Sequence, residues 1–73
     1  MTWKVWAEYD RVDGGTVWLC LDEQPVEALA FSQMAWLKGF HYHHERKFLV
    51  MPDGQKPVCR PPPSSLRVTK GYE

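Results

Sequence analysis

The sequence predicts a small α+β domain: a β-hairpin, one helix and a third strand packed as a small antiparallel sheet, followed by a proline-rich extended tail. Three observations predict it. Residues 3–12 and 16–21 alternate with period two around Asp13-Gly14-Gly15, residues 25–38 carry apolar side chains at helical spacing, and residues 40–51 return to a strand pattern. The boundaries that follow are a compact domain over residues 1–60 and a basic, proline-rich tail over 61–73.

The hairpin comes first. Trp3, Val5, Ala7 and Tyr9 share one face, and Lys4, Trp6, Glu8 and Asp10 the other. Directly opposed residues in an antiparallel pair share a face, so the apolar sets must meet. Pairing Tyr9 with Leu19 and Ala7 with Leu21 satisfies this and leaves Asp13, Gly14 and Gly15 as the loop, with Gly15 in the left-handed conformation. The outer face then groups Trp6, Glu8, Asp10, Trp18 and Cys20. Glu8 and Asp10 read there as a wet acidic strand face.

In the helix, Pro25 suits the first turn, Glu23 and Glu27 complement the dipole, and Lys38 with Gly39 closes the far end. Val26, Leu29, Ala30, Met34, Trp36 and Leu37 fall on one broad arc, with Gln33 inside it and Phe31 well off it. In the third strand, Phe40, Tyr42, Phe48 and Val50 share a face, and Met51-Pro52-Asp53-Gly54 is a turn. A short return strand around Val58 is confined to an edge by Pro57. Pro61-Pro62-Pro63 cannot join a ladder, periodicity is lost after Cys59, and residues 61–73 are expected to be mobile in the free protein.

Composition bounds the function. Seventy-three residues hold one core, and ten aromatic rings are more than so small a core can cover, which leaves rings for recognition. Two cysteines make no disulfide framework, the first ten residues contain no signal-peptide pattern, and no apolar run reaches a membrane span, so the expectation is a cytoplasmic monomer. Net charge is zero but divided. Residues 1–45 hold three cations against seven anions, net −4, and residues 46–73 hold six against two, net +4.

Motifs for chemistry are sparse. His41, His43 and Glu45 share a strand face, yet two histidines at i, i+2 lack the further ligands a zinc site requires. A solvated strand face is the preferred reading of that run. Cys59 beside Arg60 has no partner base, and Asp13-Gly14-Gly15 lacks the Lys-Ser/Thr of a phosphate loop. No catalytic residue, cofactor or metal is therefore assigned, and the chain is read as a binding protein, not an enzyme. Its candidate partner-binding residues are Trp6 and Trp18, for apolar anchoring, and Arg46, Lys47, Arg60 and Arg67, as a basic patch that could also touch RNA or DNA phosphates.

The order WKVWAEYD, a Gly turn, TVWLCL, PVEALAFSQMAWLKGF and FHYHHERKFLV resembles, over roughly residues 3–50, the small phage-encoded regulators of host RNA polymerase. That resemblance implies docking on bacterial RNA polymerase near its RNA-exit region in the host cytoplasm. It also implies inhibition of initiation through σ-dependent promoter recognition, and promotion of antitermination. A small nucleic-acid-binding domain, and a phage inhibitor of another host complex such as a defence nuclease, are the alternatives.

Overall fold

Alternation in the first segment produces the strand that organises everything else. The computed structural model describes residues 1–40 and 45–62, with backbone alone at 45 and 46. Strand β1 spans Trp3–Asp10, β2 Thr16–Gln24 and β3 Glu45–Pro52, and helix α1 spans Glu27–Lys38. The sheet is antiparallel in the order β2-β1-β3, so β1 is its centre.

The hairpin keeps the expected faces in a different register. Tyr9 opposes Val17 and Ala7 opposes Leu19, two residues away from the pairing expected from the apolar pattern. A slip of two preserves which side each residue faces, so the pattern cannot distinguish the registers. The loop decides between them. Arg11 N–H donates to Gly15 O at 2.7 Å and Gly14 N–H to Arg11 O at 3.1 Å, closing a five-residue connection. Gly14, with φ +99°, takes the left-handed conformation expected of Gly15. Near the other end, Trp6 opposes Cys20 but Val5 opposes Asp22, so Leu21 is a bulge residue.

One face of the sheet carries the core. Val5, Ala7 and Phe48 are buried against Ala30, with Trp3, Tyr9, Leu21, Met34, Leu37 and Val50 packed around them. Pro25 lies outside the helix, contrary to expectation. Val26 is its N-cap in extended conformation, and the first bond runs from Ala30 N–H to Val26 O. Glu27 and Lys38 do occupy the first and last turns. The apolar arc divides: Ala30 is fully buried and Met34 and Leu37 pack on the core, whereas Val26, Leu29 and Trp36 stay exposed. Three strands are too narrow a bed to cover so wide an arc. Half-buried Gln33 marks the edge of the contact.

Phe40 is not part of the third strand. It ends the helix in a tightened turn, its N–H donating to Leu37 O at 2.9 Å, while Tyr42 and the histidines lie outside the described residues. The turn after β3 is shifted by one: Pro52 still pairs with Trp3, and Gln55 N–H donates to Pro52 O around Gly54, at φ +92°. No return strand forms at Val58. Residues 55–62 run without regular structure as a strap across the sheet face opposite the helix. The mobility expected of residues 61–73 falls largely outside the described residues.

Candidate partner-docking surfaces

The outer sheet face is built by cross-strand rows. Trp6 lies between Cys20 of β2 and Leu49 of β3, and Glu8 is opposed by Trp18. The ladder between β1 and β3 shifts between Ala7 and Tyr9, and Lys47 and Glu8 line one cleft on that side.

The strap is fastened over these rows by four kinds of contact. Trp18 Nε1–H donates to Val58 O at 2.9 Å. Arg60 N–H donates to Thr16 Oγ1 at 2.8 Å, and Thr16 N–H returns a bond to Arg60 O at 3.1 Å. The Arg60 guanidinium grips Glu8 through two bonds, Nε to Oε2 at 3.0 Å and Nη2 to Oε1 at 2.6 Å. Close approach at Gly15 completes the fit: a Cβ there would stand 3.1 Å from Arg60 O and 3.2 Å from Pro62 Cδ. Gly15 is thus a close-approach position under the strap and not a left-handed position of the turn.

This placement corrects the reading of Glu8 as wet. Its side chain is 2% exposed, and a buried carboxylate needs a cation and hydrogen bonds to offset desolvation, which the Arg60 fork supplies. Trp6 and Trp18, expected as surface anchors, are each 9% exposed within the fold. Trp6 Nε1 is buried without a hydrogen-bond partner among the described residues. Of the expected basic patch, Lys47 and Arg60 are brought together. Both line an open cleft of about 610 Å³ with Glu8, Trp18 and Val58. The Arg46 side chain and all of Arg67 lie outside the described residues.

A second surface lies at the helix, where Leu29 and Trp36 belong to the apolar arc expected to face the core and Phe40 to the expected third strand. Leu29 and Trp36, seven apart, lie on one side of the helix, and Phe40 follows just beyond its end. Trp36 is 58% and Phe40 64% exposed, and their rings pack on one another with centroids 4.6 Å apart and planes tilted by 53°. The signal was the width of the apolar arc, more than a three-stranded sheet can bury.

Elsewhere charge is local. Asp53, 3.2 Å from Lys4 Nζ, raises the pKa of that lysine chiefly through a hydrogen bond. The Gly15 N–H, followed by Arg11, holds the Asp13 carboxyl below its ordinary value. Cys20 and Cys59 are exposed free thiols. Among the described residues no group of three or more His, Cys, Asp or Glu could hold a metal, and no helix is long and apolar enough to cross a membrane. Comparison with family models, with curated proteins and with solved structures finds no match.

Proposed function

We propose that this chain is a protein-binding regulator that docks on bacterial RNA polymerase through the exposed helix stripe, inhibiting initiation and promoting antitermination as phage-type regulators do. The observation that carries the binding reading is the pair of large rings, Trp36 and Phe40, packed on one another and left in solvent. Aromatic side chains are enriched at interface hot spots, and a small domain that leaves two large rings uncovered gains by covering them with a partner. The choice of polymerase rests on the resemblance of the hairpin–helix–strand order to that group of regulators.

Capture of purified polymerase by the tagged chain, followed by promoter-initiation and terminator read-through assays, tests this. Stoichiometric capture with reduced initiation and increased read-through is expected. Polymerase that neither binds the chain nor changes activity would remove this reading. The cleft cations Lys47 and Arg60 favour a second reading, nucleic-acid binding. Retention of RNA or DNA by the chain alone, with a steep salt dependence, would decide for it.

A further inference from the structure

The geometry points to the cleft between the strap and β3 as a receptor for a single acidic side chain flanked by apolar residues in an extended peptide of the partner. It rests on the reading of the chain as a protein-binding module and names the chemistry that module would recognise.

Charge sets the valence of the ligand. Among the described residues, the cleft is lined by two cations, Lys47 and Arg60, and one anion, Glu8. Both Glu8 oxygens accept from the Arg60 guanidinium, which takes up one positive charge. Lys47 is exposed and makes no ion pair among the described residues, so the described lining carries one surplus positive charge. A carboxylate placed between Lys47 and the outward edge of Arg60, whose side chain is 56% exposed, would take that charge up in charge-assisted bonds.

The rest of the lining argues for peptide over nucleic acid. A phosphate backbone brings repeated charges, and the buried Glu8 beneath the cleft opposes any anion beyond the first. Single-stranded bases need an open aromatic face to stack on, and the Trp18 ring is almost fully covered. The rim instead offers Val58, 85% exposed, an apolar contact suited to a Leu or Val next to the acidic residue.

The experiment is an NMR titration of the full chain with an N-acetylated, C-amidated tripeptide Leu-Glu-Val, with Leu-Gln-Val and an RNA oligonucleotide run alongside. The expected result is movement of the Trp18 indole N–H and Val58 signals by the glutamate peptide. Affinity should fall about tenfold with the glutamine peptide and by a similar factor in Lys47→Met, as loss of one charge-assisted bond implies. Lys47→Met leaves the Arg60 fastening intact, and an unchanged melting temperature shows that the fold is kept. Equal binding of the two peptides, no effect of Lys47→Met, or tighter binding of RNA in the same cleft would overturn the inference. Capture of polymerase by the unmodified chain is scored separately. Selective peptide binding without capture removes polymerase and leaves the acidic-peptide site, whereas capture without peptide selectivity does the reverse.

Discussion

Replacing Arg60 by alanine would remove the fastening of the strap and, at the same time, take the Arg60 guanidinium away from a buried carboxylate. Removing one partner of a buried pair is costly because the other stays desolvated. Arg60 is half open to water, which lessens that cost, so a loss of about 1–3 kcal/mol in urea denaturation is expected. Adding Glu8→Gln to Arg60→Ala should recover part of it, the signature of direct coupling. The two inner tryptophans differ in the same currency. Trp18→Phe deletes a bond to Val58 O, whereas Trp6→Phe deletes an N–H with no partner among the described residues. Trp18→Phe should therefore be the more destabilising by about 1 kcal/mol. At the hairpin tip, the Asp13 carboxyl is depressed by the Gly15 N–H. Its contribution is present above the ordinary carboxylate pKa of about 3.9 and is lost as pH falls through the lower folded value. Lys4 runs the other way: its contribution holds below about 10.4 and is lost as pH rises through its raised value. Asp13→Asn should flatten the acid limb of a stability-versus-pH curve and leave the alkaline limb alone.

Among the elements, what the sequence makes legible is what has a period. Parity places Val5, Ala7 and Tyr9 on one side and Trp6 and Glu8 on the other, and both placements are found in β1. Parity is blind to a shift of two, so Tyr9 meets Val17 and not Leu19, and it gives no warning of a bulge at Leu21. The strap has no period at all. Its contacts join residues 40 to 52 positions apart, Val58 with Trp18 and Arg60 with Glu8, and nothing local in either segment encodes the other. That is why Trp18 reads as a surface anchor although it is covered, while Lys47 and Arg60, read as one patch, do share a cleft. Two glycine substitutions separate turn from strap. Gly14→Ala strains a backbone at φ +99° and should lower stability by about 1 kcal/mol. Gly15→Ala should instead push the strap outward, read as a red shift of tryptophan emission and faster exchange of the Trp18 indole proton.

For the whole molecule, a narrow sheet receives a helix on one side and a strap on the other, and function is assigned to what those two leave uncovered. On the helix side, Trp36→Ala should hardly move the melting temperature, because the ring is 58% exposed, yet cost about 2 kcal/mol or more in binding if the stripe is the anchor. Ala30→Leu is its converse. It places bulk where the helix meets the sheet and should cost about 1–3 kcal/mol of stability by overpacking. Measuring melting and polymerase capture on the same two variants separates the surface that binds from the surface that holds the fold.

The distance along the chain between Glu8 and Arg60, 52 residues, also has a consequence on the ribosome. The hairpin is synthesised early, with the Trp18 indole and a carboxylate on its outer face, while the segment that will fasten over them has yet to be translated. Closing so long a loop delivers its reward late, so that indole stays available to chaperones or to neighbouring nascent chains until residues 58–60 emerge. Slow translation across 45–60 would prolong that exposure, and fast translation would shorten it. Soluble yield of this small chain should therefore respond to synonymous codon choice in a stretch that leaves every amino acid unchanged.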